Sequence, residues 1–342
     1  MFFASKTYKV ICVGSTSKDI FFPTDEGTII QTPEDLVSKV KIAFELGGKY
    51  RVADRYEAVG GVAANVSHGL TRLDHAAACY SKIGNDETGK WILHEFKSAG
   101  VPTEFLFVDT VVKTDLSAII VLTQSGERTI FHNRDANEKL EISDEKFAGA
   151  GWVFVSALNG NWQENLKKIL LLKEKYGFSL AFNPGQHNIK EDPGFLLEAI
   201  AVADVLLLNK DEAIELVMQT QKELPKERLD DEMYLLQTLG RVGAKIIGMT
   251  DGKRGAWSFD GQEYWYCPIH TRNSIVDSTG CGDAFGSGFF AAVLEGGSVE
   301  RALRYGIANS GSVVGAYGAT AGLLKTDEMK NIIEKITPER LN

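Results

Sequence analysis

The segment Asp277–Gly288 combines small residues with a carboxylate in a spacing that suits the binding of an anion. It reads DSTGCGDAFGSG, and a helical pattern over Ala284–Leu294 overlaps its end. Glycines let backbone N–H groups approach a ligand closely, and the start of a helix attracts negative charge. The segment therefore predicts an anion hole formed by the loop around Gly280, Cys281 and Gly282.

Asp283 stands at the edge of this loop, where its carboxylate could accept the proton of a hydroxyl nucleophile. We expect the helix start to keep Asp283 ionised, which makes it a weak base. A weak base suffices for phosphoryl transfer, because the transition state is loose and the proton can leave late. The alternative is a tight turn that Asp283 merely caps, since Asp is a favoured capping residue.

A second segment, Gly60-Gly61-Val62-Ala63-Ala64-Asn65, places a glycine pair before a helix and a carboxamide one turn into it. Bare amides and a carboxamide suit hydrogen bonds to a polyhydroxylated ligand. A glycine-rich loop that only packs the helix onto a sheet explains this segment equally well.

Asn209 and Glu212 follow the apolar run Val205–Leu208 and share one face of the next helix. A carboxylate at the end of a strand can hold Mg²⁺ through water molecules, as that ion prefers. The alternative is an ordinary capping box, in which Asn209 caps the helix and Glu212 reaches back.

Thr250, Gly252 and Gly255 follow another apolar run and offer a hydroxyl group and two flexible glycines. Ligands of open α/β sheets bind at the carboxyl ends of the strands, where these residues are expected. A simple turn into the next hairpin is the alternative. The chain has no GxxxxGK[ST] motif, and Gly280, Gly282 and Gly286 miss the GxGxxG spacing by one residue.

The elements that position these residues follow from hydrophobic periodicity. Apolar runs predict strands at Tyr8–Val13, Ala76–Ser81, Ser117–Thr123, Trp152–Ser156, Ser179–Asn183, Val205–Leu208 and Lys245–Thr250. Amphipathic patterns predict helices at Val62–Leu73, Glu87–Ala99, Asn161–Tyr176, Lys210–Gln219 and Asp231–Val242. This alternation indicates a doubly wound α/β fold, with a mostly parallel sheet covered by helices on both faces.

Three segments interrupt the alternation. Thr24–Val59 is long and polar, Ser117–His132 predicts a hairpin, and Ala256–Cys267 predicts another. The first two could form a small β-sheet that stands off the main body as a lid. We expect one domain over residues 1–342, with a lid subdomain from about residues 15–59 and 115–134.

Composition excludes several classes of protein. The 342 residues carry 37 Lys and Arg against 46 Asp and Glu, a net charge of −9, which argues against a nucleic-acid partner. The four cysteines form no CxxC pair, so a zinc site is not expected. No apolar run is long enough to span a bilayer and no signal-peptide pattern opens the chain, so we expect no membrane partner and a cytoplasmic location.

Together these segments resemble the signatures of the ribokinase, or PfkB, family of carbohydrate kinases, in the same order and at similar separations. The resemblance implies a ribokinase-like fold and an ATP-dependent phosphotransferase. It implies that Asp283 is the base, and that the amides of Gly280, Cys281, Gly282 and Asp283 hold the γ-phosphate.

The same resemblance implies roles for further residues. The sugar side comprises Asp19, Gly60, Gly61 and Asn65, to which we add Arg134. The nucleotide side comprises Asn183, Asn209, Thr250, Gly252, Gly255, Asn309 and Gly318. Glu212 would organise Mg²⁺ through water, and Asp277, by a looser match, would belong to a K⁺ site.

Some positions depart from the family pattern. Cys281 stands where a small residue is usual, and we expect the anion hole to favour its thiolate. A Cys281 side chain that points into the core is the alternative. Asp74 replaces a Gly or Ser, which predicts only a local change of turn. Lys18 precedes Asp19, and the insertion Thr24–Val59 is long, so the substrate side differs most.

Four functions remain open at this point. The first is a kinase acting on a hydroxymethyl group of a free sugar such as ribose, fructose or a keto-deoxy sugar acid. A nucleoside kinase would use Phe21, Phe22, Phe131 and His132 as a slot for the base. A phosphosugar kinase would use Lys18, Lys39, Lys41 and Arg134 as a basic cluster. A non-catalytic binding protein of the same fold is the fourth. In each case we expect a homodimer formed through the lid.

Overall fold

The computed structural model describes residues 9–32, 40–52, 54–220, 226–271 and 275–341. The strands of these residues are β1 Val10–Val13, β2 Ser17–Thr24, β3 Thr28–Gln31, β4 Val40–Ala43, β5 Tyr56–Gly60, β6 Ala77–Gly84, β7 Leu106–Asp109, β8 Leu116–Leu122, β9 Arg128–Asn133, β10 Trp152–Val155, β11 Ser179–Phe182, β12 Val205–Asn209, β13 Ile246–Thr250, β14 Ala256–Phe259, β15 Tyr264–Cys267 and β16 Glu339–Leu341. The helices are α1 Val62–Arg72, α2 Glu87–Ser98, α3 Trp162–Tyr176, α4 Gln186–Glu191, α5 Pro193–Ala201, α6 Lys210–Val217, α7 Glu232–Val242, α8 Cys281–Leu294, α9 Val299–Val313 and α10 Thr326–Ile333.

A ten-stranded central sheet has the order β16-β15-β14-β13-β12-β11-β10-β1-β6-β7. The strands from β7 to β13 in this order pair in parallel, while β14, β15 and β16 are antiparallel. The predicted doubly wound, mostly parallel α/β fold is confirmed.

Helices cover both faces of the sheet, because alternate residues of each buried strand point to opposite sides. On β1, Ile11 and Val13 join a core built with α3, α5, α6 and α7. Val10 and Cys12 join the opposite core, built with α1, α2, α8, α9 and α10. The strands therefore need to be apolar along their whole length, as the sequence pattern showed.

A second sheet has four strands in the order β5-β2-β8-β9. Its β8–β9 hairpin is the one predicted within Ser117–His132, and β14–β15 forms the one predicted within Ala256–Cys267. The interior of the long insertion is not part of this sheet, since β3 and β4 pair only with each other. Phe21, Ile119 and Val121 form the small core of the four-stranded sheet.

Several details differ from the sequence predictions. Helix α8 begins at Cys281, three residues before the expected start, so Asp283 lies inside the first helical turn. The strands β7 and β16, of four and three residues, lie at the two edges of the sheet and were not expected from the apolar runs, because they are so short. Tyr8, predicted to open the first strand, lies outside the described residues. Within the described ranges, no helix is long and apolar enough to cross a membrane.

Candidate active site

The start of α8 forms a loop open to ligand at Gly280–Gly282. Gly280 is the residue before the helix and has a φ of +76°, and an added Cβ would lie 2.1 Å from the Cβ of Ala319. Only glycine fits there without strain. Gly282 is exposed, and an added Cβ would meet nothing within 4 Å. Because the first N–H groups of a helix lack carbonyl partners within it, they are available to an anion at this open face.

Asp283 and Asn65, 218 residues apart, meet at this helix start. Asn65 Nδ2 donates a 2.7 Å hydrogen bond to Asp283 Oδ2. The Oδ1 atom of Asn65 is buried and has no hydrogen-bond partner among the described residues. A buried polar atom without a partner is costly, so this oxygen is well placed to accept a hydrogen bond from a ligand hydroxyl group.

Burial raises the pKa of Asp283 to about 6, and the negative charge of Asp19 adds to this effect. The hydrogen bond from Asn65 opposes it, because it stabilises the carboxylate. The expectation that the helix start would leave Asp283 a weak base is therefore wrong, since desolvation dominates. At neutral pH Asp283 remains mostly ionised, yet it is a stronger base than an ordinary Asp.

Asp19 lies on β2 and approaches the glycine pair. An added Cβ on Gly60 would lie 2.2 Å from Asp19 Oδ2, so the bare backbone is what admits the carboxylate. Gly61 precedes α1 with a φ of +91°. Ser17 Oγ donates to Asp19 Oδ1 at 3.0 Å, and burial raises the pKa of Asp19.

Asn209 and Glu212 form a capping box at the start of α6. The Glu212 N–H donates to Asn209 Oδ1 at 2.9 Å, and the Asn209 N–H donates to Glu212 Oε2 at 3.0 Å. Both residues also line a cavity of about 240 Å³, together with Asn183, Thr250, Gly282 and Asp283. Burial raises the pKa of Glu212, with the nearby carboxylates, including that of Asp283, adding to the rise. Asn209 and Glu212 can therefore cap α6 and face a ligand in the cavity at the same time.

A second cavity of about 430 Å³ meets the first at Thr250, Gly282 and Phe285. Gly252 and Gly255 line it, as do the apolar side chains of Ile269, Ile275, Ile307 and Val314. Residues 125–127 of the β8–β9 turn line it as well. An apolar chamber beside a helix start with free N–H groups suits a flat base attached to phosphates.

Asp277 is fully buried beside the helix start. Its Oδ1 accepts hydrogen bonds from the N–H of Thr279 at 2.9 Å and from Thr279 Oγ1 at 2.7 Å. Its Oδ2 accepts one from the Gly318 N–H at 3.2 Å. Among the described residues, no lysine or arginine forms an ion pair with Asp277.

Three of the predicted site residues are placed differently from the expectation. Asn309 is fully buried, and its amide bonds the Ala284 carbonyl, Ser287 Oγ and the Leu324 N–H, so the side chain holds the fold together and is not exposed to a nucleotide. Gly318 lines neither cavity and instead supports Asp277. Arg134 is exposed and donates to Asn159 Oδ1 at 2.6 Å.

The expected thiolate at Cys281 is also wrong. Burial raises the pKa of Cys281 to about 11, with Asp277 and Asp283 acting in the same direction. The residue is therefore a neutral thiol at physiological pH, which does not repel a phosphate. Asp74 has a φ of +63°, a conformation that glycine adopts most readily, which agrees with the expected local turn.

Two groups of residues at the site were missed from the sequence. The apolar lining of the larger cavity comes from isolated side chains that belong to no predicted motif, namely Ile269, Ile275, Ile307 and Val314. Arg128, on the first position of β9, donates to Ser278 Oγ at 2.6 Å, 150 residues away. The hairpin pattern located Arg128 on a strand, but no pattern linked that strand to the loop before α8.

Residues 9–326 match the family profile described as pfkB family carbohydrate kinase. The chain belongs to this family. It is therefore a phosphotransferase with an alcohol group as acceptor, and membership implies ATP as the donor.

Curated relatives in the PfkB family act on different substrates. An ATP-dependent ribose-1-phosphate kinase of Halopiger xanaduensis is 27% identical over 83% of this chain and 90% of its own length. A nucleoside kinase of Methanocaldococcus jannaschii is 26% identical over 96% of this chain and 98% of its own length.

Solved structures agree on the fold. A ribokinase of Giardia lamblia superposes with a TM-score of 0.77 at 20% identity, over 96% of this chain and 100% of its own. A nucleoside kinase of Burkholderia thailandensis, in complex with inosine, superposes with a TM-score of 0.76 at 17% identity, over 95% of this chain and 98% of its own. At these identities the likeness shows the ribokinase-like fold alone.

Proposed function

We propose that this PfkB-family protein transfers the γ-phosphoryl group of ATP to a hydroxymethyl group of a free sugar of the ribose, fructose or keto-deoxy sugar acid type. The observation that carries the proposal is the contact between Asn65 and Asp283 at the start of α8. It joins a carboxylate of raised pKa to a buried oxygen that needs a hydroxyl partner. This is the chemistry required to position and deprotonate a sugar hydroxyl group.

In the proposed reaction the sugar hydroxyl oxygen attacks the γ-phosphorus while the bond from that phosphorus to the bridging oxygen breaks. ADP leaves with the electron pair of that bond, and Asp283 accepts the hydroxyl proton. The N–H groups around Gly280, Cys281 and Gly282 stabilise the negative charge on the transferred group. Asp19 and the backbone of Gly60 and Gly61 hold the other hydroxyl groups.

The nucleotide would bind across the two cavities. Its base would lie in the apolar chamber, and its phosphates would pass Thr250, Gly252, Gly255 and Asn183 toward the helix start. Mg²⁺, when bound, would neutralise phosphate charge. The buried carboxylate of Glu212 fits the water shell of this ion, because it lines the same cavity as Asp283.

A monovalent cation would fit beside Asp277. Its carboxylate is fully buried and accepts only neutral hydrogen bonds among the described residues. A buried carboxylate without a cationic partner is costly, and a bound K⁺ would offset that cost. We propose Asp277 as the acidic neighbour of such a site.

The charges on the substrate side favour a sugar without a phosphate group. Lys18 is paired with Glu57 at 2.6 Å and lies 4.4 Å from the ring centre of Trp91, so its charge is already satisfied. Arg134 keeps an unpaired charge, since its partner among the described residues is the neutral carboxamide of Asn159, but one arginine is not a cluster. Lys39 lies outside the described residues, and Lys41 is on the separate β3–β4 ribbon. The remaining candidates thus do not form the basic cluster that a phosphosugar requires.

A nucleoside acceptor is the second candidate, because a curated nucleoside kinase matches nearly the whole chain. The aromatic slot suggested by the sequence gives it limited support. Phe21 is buried in the core of the four-stranded sheet, and Phe131 and His132 are exposed on β9.

A panel of acceptors tests the proposal. The protein with Mg²⁺ and ATP is offered free pentoses, ketohexoses and keto-deoxy sugar acids, then nucleosides, then sugar phosphates. ADP release is measured, and the product is identified by mass spectrometry. We expect at least one free sugar to be phosphorylated with the highest kcat/KM. Turnover of nucleosides alone would favour the second candidate, and no turnover in any arm would contradict both.

A further inference from the structure

The tip of the β8–β9 hairpin lies against the loop that leads into α8. Arg128 Nη1 donates to Ser278 Oγ at 2.6 Å. An added Cβ on Gly126 would lie 3.4 Å from the Val276 carbonyl oxygen, so the turn and this loop are in van der Waals reach. Residues 125–127 line the larger cavity. The four-stranded sheet therefore contributes to the nucleotide side of the site as well as to the sugar side.

The site itself is acidic. Four carboxylates surround the proposed route of the ATP phosphates along the two cavities to the start of α8 (the phosphate path): those of Asp283, Glu212, Asp19 and Asp277. An incoming nucleoside triphosphate adds further negative charge. Cations positioned by the protein are needed in addition to the metal.

Few cationic side chains of the described residues reach this path. Arg254 is already bound to Asp251 and Glu232. Lys253 follows Gly252 and lines the larger cavity. Arg128 is exposed, forms no ion pair within the described residues, and bonds only to the neutral hydroxyl of Ser278. Its charge is therefore available to a ligand.

Arg128 also lies close enough to the helix start to act on it. Its positive charge lowers the pKa of Cys281, against the larger upward effect of burial. Cys281 is the first residue of α8, next to Gly282. A guanidinium group that influences this thiol is within electrostatic range of a phosphate at the same amides.

We propose that Arg128 is a catalytic cation carried by the small sheet, which exchanges its bond with Ser278 for the phosphate oxygens of bound ATP. This inference rests on the proposed kinase function. An arginine offers a planar pair of donors that matches phosphate geometry, and such a cation stabilises the charge that develops during transfer. Arg128 reaches the phosphates only while the small sheet lies against the loop, so a complete phosphate site requires that position.

The test compares Arg128→Ala, Arg128→Lys and Ser278→Ala with Arg55→Ala. Arg55 is a charge-matched control, because it precedes β5 of the same sheet and pairs with Glu57 on the surface. Steady-state kinetics are measured with the best acceptor from the panel, with and without added guanidinium ion at concentrations that do not unfold the protein.

We expect Arg128→Ala to lower kcat by about 10²–10³-fold with little change in the KM of the acceptor, as for loss of one transition-state donor. Added guanidinium should restore part of the kcat of Arg128→Ala alone, and Arg128→Lys should retain intermediate activity. The kcat of Ser278→Ala should fall much less, and the kcat of Arg55→Ala should equal that of the wild type. The proposal is overturned if Arg128→Ala keeps kcat within about threefold of wild type. It is also overturned if Ser278→Ala shows the same loss and guanidinium rescues neither variant.

A binding arm separates this proposal from the proposed function. If the wild type phosphorylates no acceptor, the affinities of AMP and of a nonhydrolysable ATP analogue are measured by calorimetry. We then expect Arg128→Ala to lower the affinity for the ATP analogue at least tenfold while the affinity for AMP stays unchanged. Equal affinities in wild type and variant would contradict the role of Arg128, independently of which acceptor the protein uses.

Discussion

Asp283 combines a buried carboxylate with a hydrogen bond from Asn65, and the two have opposite effects on its pKa. Since the raised pKa is that of an acid, the ionised form is disfavoured in the folded protein. Asp283 therefore lowers the free energy of unfolding progressively as the pH rises from the pKa that this group has in the unfolded chain to its pKa of about 6 in the folded protein. Burial of Asp283 therefore makes it a stronger base and at the same time makes the folded protein less stable.

Replacing Asp283 by Asn tests its role as base. We expect kcat to fall by about 10²–10⁴-fold or more, while the affinity for a nonhydrolysable ATP analogue survives. Because Asn carries no charge to bury, Tm at pH 7.5 should stay equal to that of the wild type or rise. Kinetics, calorimetry and thermal unfolding check the three parts. A variant with near wild-type kcat would remove Asp283 from the mechanism.

The pH profile of kcat/KM should show an acidic limb near pH 6, where Asp283 gains its proton. Activity should fall below this value, because only the carboxylate can accept the hydroxyl proton. Asn65→Ala removes the hydrogen bond that favours the carboxylate, so the limb of this variant should move to higher pH. A wild-type limb near pH 4, or a shift to lower pH in Asn65→Ala, would contradict the assignment.

Glu212→Gln separates metal binding from helix capping, since Gln can replace Glu in a capping box. We expect the variant to need more Mg²⁺ and to lose kcat more than it changes the KM of the sugar. Glu328→Gln is the matched control, because Glu328 accepts a hydrogen bond from the Lys325 N–H in an exposed cap of α10. If Glu212→Gln is less stable but unchanged in a Mg²⁺ titration, Glu212 only caps α6.

At the scale of elements, the start of α8 depends on two glycines with different requirements. Gly280 needs a left-handed backbone and close contact with Ala319, whereas Gly282 is helical and faces open space. The first is required by the fold, and the second leaves room for a ligand.

Alanine substitutions should separate these requirements. Gly280→Ala should lower the free energy of unfolding by about 1–3 kcal/mol, from backbone strain and the contact with Ala319. Gly282→Ala should keep Tm close to the wild-type value but lower kcat, because the new methyl group enters the space of the phosphate. Thermal unfolding and kinetics of both variants check this. A stable, fully active Gly280→Ala would show that the loop can rearrange.

At the scale of the whole molecule, β9 is an edge strand whose residues are all exposed. Phe131 is 61% exposed and Ile130 is 44% exposed. An edge strand with exposed apolar side chains invites pairing with another chain. These features support the proposed homodimer through the lid.

Light scattering tests the dimer. We expect twice the chain mass at micromolar concentration, and a single chain mass for Phe131→Asp. Leu171→Asp is the control, because Leu171 is 56% exposed on α3, outside the lid. A wild-type protein of single chain mass would contradict the proposal, and dissociation by Leu171→Asp would point to another interface.

The sequence by itself determined the fold class and the positions of the main strands and helices. Apolar runs such as Val205–Leu208 and Trp152–Ser156 are local signals, because a strand buried on both faces must be apolar throughout. The motifs at Asn209 and Thr250 likewise indicated one sheet edge, since each follows an apolar strand and parallel strands end on the same side.

The tertiary structure alone decided the environment of each motif residue. Whether Asp283 is a strong or weak base, and whether Cys281 is a thiol or a thiolate, depends on how much of each side chain is removed from water. Desolvation is set by packing from distant segments, which no local pattern contains. For the same reason the burial of Asn309 and the bond between Arg128 and Ser278 could be found only in the folded chain.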